Sequence, residues 1–287
     1  MRPMRPMRPM RQPCLIAALW VVSAAALAQQ SPLDPPPRVP PPPASPITDR
    51  LAISAGALIG SVSTDGHVDD PNSATPGTQI SWEQDLGLTP DLHQGRVEII
   101  FRLRERNRLR VDMWEVNRSA VATPASNIVF GNIVLTPADQ VDSTFDWRQM
   151  GATWTYSVLR GRRYELGAGI GAHAVQGNSD ERVWARGVHE SLTGASPFAT
   201  LALDGTWLIS QRFSFNARAQ YLSLNFNSNS GTLGDYHADV QFRWRPNLAF
   251  GIGYESTHAR VIVRNKNPNG DITFNTHGCE LFVRASF

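Results

Sequence analysis

From residue 50 onward, apolar and polar side chains alternate with a period of two, the signature of strands whose two faces meet different surroundings. Between Val97 and Leu103 the odd positions Val97, Ile99, Phe101 and Leu103 are apolar, whereas Arg96, Glu98, Arg102 and Arg104 take the other face. Met150, Ala152, Trp154, Tyr156 and Val158 alternate with Gln149, Gly151, Thr153, Thr155 and Ser157. Tyr236, Ala238, Val240, Phe242 and Trp244 alternate with Asp235, His237, Asp239, Gln241 and Arg243. One face is greasy and aromatic, the other charged. The pattern predicts strands at about 50–60, 94–104, 108–118, 144–158, 163–175, 196–208, 212–224, 234–245, 248–263 and 274–287.

Alternation alone does not say which face is inside, because a small soluble barrel also alternates, with its apolar residues inward. The joins decide. Between the ten segments long and short connections alternate, the layout of a transmembrane barrel with turns at one end and loops at the other. The segments are long enough for the roughly 9–11 tilted residues that cross a bilayer. In lipid every backbone donor and acceptor must be paired within the protein, so a sheet spans only by closing on itself. Tyr164, Trp207, Phe213, Tyr221, Tyr236, Trp244 and Tyr254 crowd the ends of the apolar faces, where interfacial girdles belong. The expectation is an all-β fold over residues 50–287, a closed antiparallel transmembrane β-barrel of ten strands. Eight or twelve are the alternatives, if a short strand is miscounted or the long first loop hides a pair.

At the C-terminus Cys279, Leu281, Val283, Ala285 and Phe287 occupy every second position, and the chain ends on the aromatic ring. This resembles the C-terminal strand of bacterial outer-membrane β-barrel proteins. The resemblance implies a place in the outer membrane of a Gram-negative cell, contact with its lipid and lipopolysaccharide, and recognition of the Phe287 strand by the barrel-assembly machinery. It covers residues 50–287 as architecture and reaches no single functional subfamily.

The full chain has 287 residues, 41% hydrophobic, with a formal charge of +2. Its one long apolar run, Leu15 to Ala28, falls short of the roughly 20 residues of a spanning helix. It follows Arg2, Arg5, Arg8 and Arg11 and ends in Ala26-Leu27-Ala28, the three parts of a secretory signal peptide over residues 1–28. Its removal turns the charge slightly negative, so nothing asks for a nucleic acid partner. Residues 29–49 are dominated by proline and read as a stiff polyproline II spacer in the periplasm, with docking of a periplasmic partner as the other use. Cys14 leaves with the signal, so Cys279 has no partner for an intramolecular disulfide.

The expected inner face carries Arg96, Glu98, Arg102, Arg110, Asp112, Glu165, His173, Asp204, Arg218, Asp239, Arg243, Glu255, Glu280 and Arg284 as lumen-lining residues. About eight strands leave a lumen just filled by side chains, so a ten-stranded barrel is narrow. Its charges either interlock and neutralise one another or line a thin conduit. All but one of the 27 basic residues are arginine, which suits bidentate pairing with carboxylates. Gly167 to Ala172 matches a dinucleotide-binding pattern only superficially, because it lies inside an alternating strand and opens no helix.

Asp235-Tyr-His237 sets a carboxylate and an imidazole on one strand face toward the loop end, where an Asp can orient a His as general base. These two residues, the candidate catalytic pair, resemble half of the site of omptin proteases. The other half, an Asp-x-Asp pair in the second loop, is missing; that loop offers Asp139 and Asp142. His189-Glu-Ser191 resembles the His-x-Ser pairing of outer-membrane lipid A deacylases but falls in an expected loop. His67, His93, His173, His258 and His277 show no metal-ligand spacing, and His67-Val-Asp69-Asp70 offers oxygens to a hard cation or simply solvates a loop. No metal or cofactor is expected. Trp82 to Leu88 forms either a lid over the barrel mouth or the descent into the next strand. The leading expectation is a non-enzymatic barrel, a narrow channel or a ligand-binding scaffold with long loops at 61–93, 119–143 and 176–195. The alternative is an embedded hydrolase with its site at the outer rim.

Overall fold

The computed structural model describes residues 45–72, 76–226, 229–264 and 269–287, so the expected signal peptide and most of the linker lie outside the described residues. The elements are, in order, β1 Leu51–Val68, β2 Ile80–Ser81, α1 Trp82–Asp85, β3 Asp91–Arg104, β4 Asn107–Ala122, β5 Ile128–Phe130 and β6 Ile133–Leu135. Then come β7 Val141–Arg160, β8 Tyr164–Val183, β9 Val188–Leu208, β10 Phe213–Phe226, β11 Asn229–Arg245, β12 Leu248–Val263 and β13 Gly270–Ser286. Ten of these, β1, β3, β4 and β7 to β13, each pair antiparallel with their neighbours, and β13 returns to β1 in register from Ala52↔Ser286 to Val68↔Gly270. The sheet therefore has no edge, the condition lipid imposes on a spanning sheet. At the seam the Phe287 N–H donates to the Leu51 carbonyl at 2.8 Å, and the Arg50 and Leu51 N–H groups donate to the Phe287 carbonyl at 2.9 and 3.1 Å.

The outward face forms an apolar belt. On β7 it shows Met150, Ala152, Trp154, Tyr156 and Val158; on β8, Tyr164 through Ala174; on β13, Leu281, Val283 and the terminal Phe287. Trp207 and Tyr164 lie opposite one another at one rim, where aromatic rings bridge acyl chains and headgroups. Inside the belt the barrel strands bury Arg96, Asp112, Thr153, Glu165, Asp235 and Glu255.

Above the belt, toward the loop end, the two faces exchange character. On β7 the outward residues become Asp146 and Arg148 while Phe145 and Trp147 turn inward. On β4 the outward apolar run is broken after Met113, where Glu115, Asn117 and Ser119 follow outward, and Trp114 and Val116 are buried. The backbone alternation of β7 and β4 runs unbroken through this level. What changes is the surroundings: past the bilayer the outside meets water, so the apolar side chains collect inside, as in a soluble barrel.

This inversion lengthens the strands beyond their expected ends. The connection expected at 176–195 is almost entirely strand, since β8 and β9 run on to Val183 and Val188 and join through residues 184–187, with Gly187 at φ 64°. Both faces are mixed there, which hid the period. The connections at 69–90 and 123–140 are genuine but structured: the first carries β2 and α1, the second the β5–β6 hairpin. Before β1, Ile47 is 3% exposed and the Asp49 side chain is buried, so residues 46–49 pack against the barrel.

Candidate functional site

The interior is built in two levels. At belt height, polar side chains alternate inward from every strand because the apolar half of each pattern is spent on lipid. Arg96 on β3 pairs with Glu255 on β12 and lies 3.4 Å from Asp112 and 3.8 Å from Asp235. Arg218 on β10 reaches Glu98 at 2.6 Å, Asp235 at 3.6 Å and Glu255 at 3.7 Å, while Arg110 meets Glu98 at 3.1 Å. A second group sits nearer the turn end: Arg102 donates to both Glu165 oxygens at 2.8 and 2.9 Å, and Arg108 pairs with Asp204. Arg243 and Arg284 lie 2.9 and 3.7 Å from Asp49. His237 completes the set, with Nε2 at 2.8 Å from Glu280 and Nδ1 at 3.5 Å from Asp239. Alongside, His173 Nε2 meets Gln220 at 2.8 Å, and Thr153 and Thr200 donate to the same amide oxygen. All fourteen lumen-lining candidates face this interior, joined by Arg108 and Asp49.

The turn-end mouth is closed by residues 46–49. Arg102 donates to the Pro46 and Asp49 carbonyls, both at 3.4 Å, and Arg160 to the Ile47 carbonyl at 3.2 Å. Between this segment and His237 lies a cavity of about 60 Å³.

Above the charges sits an aromatic plug. Trp147 stacks on Phe274 at 4.4 Å and 11°, Phe145 on Phe274 at 5.9 Å, and Trp114 on Phe274 at 6.4 Å. Helix α1 covers them. Its N-cap Ser81 accepts from the Gln84 N–H, and Trp82 drops inward until it is 1% exposed, against Phe130 and Phe145. The segment 82–88 is thus a lid, with Leu86 and Leu88 buried behind Trp82. Arg118 ties it down: its guanidinium binds Glu83, donates to the Thr89 carbonyl at 3.3 Å and lies over the Phe145 ring. Trp82 Nε1–H donates to Ser179 Oγ at 3.0 Å, which donates to Glu181 at 2.9 Å. On β8 the belt ends at Ala174, so Glu181 lies above it, and burial in the plug pushes its carboxyl up to about 7.

The candidate catalytic pair is not assembled. Asp235 and His237 share a strand face, but Asp235 is drawn to Arg96 and Arg218, and His237 to Glu280 and Asp239. Both are buried in the lumen at belt height and not at the outer rim, because β11 extends further toward the loop end than its pattern suggested. His189 and Ser191 lie on β9, not in a loop, where His189 Nε2 meets Asp180 at 2.8 Å on an exposed face. His67 pairs with Asp271 and lies 3.8 Å from Asp69. Gly167 and Gly171 make room inside the barrel: a Cβ at either would fall within 2.7 Å of Asp204 or Thr200.

No known protein family profile matches the chain, and no curated protein matches it. Solved structures do. The outer membrane protease OmpT from Escherichia coli superposes with a TM-score of 0.53 at 10% identity, over 82% of this chain and 97% of that one. The outer membrane protein OprG from Pseudomonas aeruginosa gives 0.39 at 11% identity, over 82% and 96%. The likeness to OmpT is one of fold: the architecture is that of a bacterial outer-membrane β-barrel of ten strands.

Proposed function

We propose that this chain is a sealed, non-enzymatic outer-membrane barrel that acts as a binding scaffold from its loop end. The observation that carries this reading is the filled interior: the aromatic plug and its lid occupy the upper level, and paired charges and the 46–49 segment occupy the lower. A pore needs a continuous wet path, and stacked Trp147, Phe274 and Phe145 provide none. The extension above the belt is the large feature that the membrane does not require. It is a water-facing barrel carrying the β8–β9 hairpin, at whose tip Trp184 is 60% exposed beneath the Arg182 guanidinium. Exposed Trp with Arg is the composition of an interface anchor.

In this reading residues 1–28 direct export and are removed, the proline-rich stretch spaces the barrel from a periplasmic partner or surface, and the Phe287 strand is recognised for assembly. The belt contacts lipid and lipopolysaccharide. A hydrolase at the rim gains no support from Asp235 and His237, which face charged partners inside the lumen. Planar-bilayer recording of the refolded chain without residues 1–28 tests the proposal. A silent bilayer with heat-modifiable, folded protein is expected; reproducible conductance steps altered by Arg218→Ala or Arg243→Ala would restore the channel reading.

A further inference from the structure

The lumenal charges do not balance. Among the described residues, the guanidiniums of Arg96, Arg110 and Arg218 face four carboxylates, Arg102 and Arg108 face two, and Arg243 and Arg284 share Asp49. Asp239, which also accepts from Asn216 at 2.8 Å, and Glu280 both meet His237 and have no guanidinium within salt-bridge distance. The lumen therefore holds two more carboxylates than guanidiniums, and the excess is concentrated around one imidazole. An excess of two negative charges at membrane depth is costly unless a cation or protons meet it.

We infer that His237, Glu255 and Glu280 form a site for one divalent transition-metal cation of the zinc class. One atom from each lies within 4.8 Å of the others; bonds of about 2.0–2.2 Å to zinc hold tetrahedral ligand atoms about 3.4 Å apart, so the edge between His237 and Glu280 opens slightly to admit the ion. His237 Nε2 and the Glu280 oxygen are already 2.8 Å apart, so the ion takes the place of the proton between them. Glu255 is 1% exposed, and its Oε2 accepts no hydrogen bond, the Arg218 guanidinium standing 3.7 Å away; its Oε1 is held by Arg96, the outer contact that orients a ligating carboxylate. Asp239 stands at Nδ1 of His237, on the side of the ring away from the ion, where a carboxylate fixes the tautomer with Nε2 free to ligate. The cavity of about 60 Å³ lined by His237, Asp239 and Glu280, between them and the 46–49 segment, gives the ion space. One nitrogen and two carboxylate oxygens suit zinc or manganese better than calcium, which takes six to eight oxygens.

The test uses the refolded chain without residues 1–28, stripped with a chelator, equilibrated with Zn²⁺, desalted and analysed for metal content. One zinc per chain is expected. His237→Gln and Glu280→Gln should each reduce retained zinc to background, and Asp239→Asn should weaken binding about 10–100-fold. His189→Gln, in the exposed pair with Asp180, should leave it unchanged. Heat-modifiable migration establishes folding of every variant. If His237→Gln does not fold, Co²⁺ in the unsubstituted chain supplies the readout, since a tetrahedral site gives intense visible absorption and an octahedral solvent site does not. The proposal is overturned if the folded chain retains no zinc, or if the zinc it retains is indifferent to Glu280→Gln. It is equally overturned if the metal-free chain shows a protonated His237 at neutral pH that added Zn²⁺ does not displace, because protons then meet the excess charge.

Discussion

Trp147→Ala separates a packed plug from a merely occupied lumen. Trp147 is 1% exposed, stacks on Phe274 at 4.4 Å and 11°, and lies parallel to Phe145 at 6.5 Å. A buried aromatic removes about 150–250 Å² from water, which at about 25 cal/mol per Å² amounts to roughly 4–6 kcal/mol. Large-to-small core substitutions of aromatics cost about 3–5 kcal/mol, so about 4 kcal/mol is expected, close to a thousandfold in the folding equilibrium. The control is Trp154→Ala, seven residues along the same strand but facing lipid and 42% exposed. Urea titration of both variants folded into lipid vesicles, followed by intrinsic fluorescence and by heat-modifiable migration, gives the two losses. Trp147→Ala should lower the midpoint far more than Trp154→Ala, and pairing it with Phe274→Ala should cost less than the sum of the single changes. Equal losses, or strict additivity with Phe274→Ala, would refute the argument that the upper level is a folded core.

Three further outcomes follow from the charges and the seam. Arg96→Gln removes the cation that serves Glu255, Asp112 and Asp235 and should cost about 3–5 kcal/mol in the same titration; adding Glu255→Gln should recover much of it, and no recovery would mean the pair is not coupled. Glu181, pushed from 4.5 to about 7, binds its proton more tightly folded than unfolded, so the stability it contributes is full below pH 4.5 and is lost as pH rises through 7. The unsubstituted chain should therefore lose stability over that interval more steeply than Glu181→Gln, and parallel curves would contradict the assignment. Deleting Phe287 removes three backbone hydrogen bonds across the β1–β13 seam and should slow or abolish conversion to the heat-modifiable form in vesicles; unimpaired conversion would show that the seam closes without it.

The barrel was legible in the sequence because lipid enforces a simple rule: along a spanning strand the outward residue is apolar whatever its inward neighbour is. Met150 to Val158 and Tyr236 to Trp244 obey it, and closure, strand number and inward charges follow from such runs. The plug was equally present in the letters but carries the opposite sign. Phe145 and Trp147 stand at odd positions, Met150 and Trp154 at even ones, so the apolar parity of β7 switches in mid-strand without any turn signal. Trp114 following Met113 on β4 repeats the switch. A search for uninterrupted alternation ends the strand at such a point and calls the remainder loop, which is why 176–195 was expected to be irregular. The switch is physically the upper edge of the bilayer, the level at which the outward face passes from hydrocarbon to water. The pairing of charges inside the lumen was not legible, because parity states that Asp235 and His237 face inward but not which residue of β3, β10 or β13 lies across from them. That depends on how the sheet coils to bring Arg96 and Arg218 against Asp235 while Glu280 meets His237. The Asp-x-His spacing that suggests a catalytic pair on one strand thus distributes its two members between different partners once ten strands are closed around them.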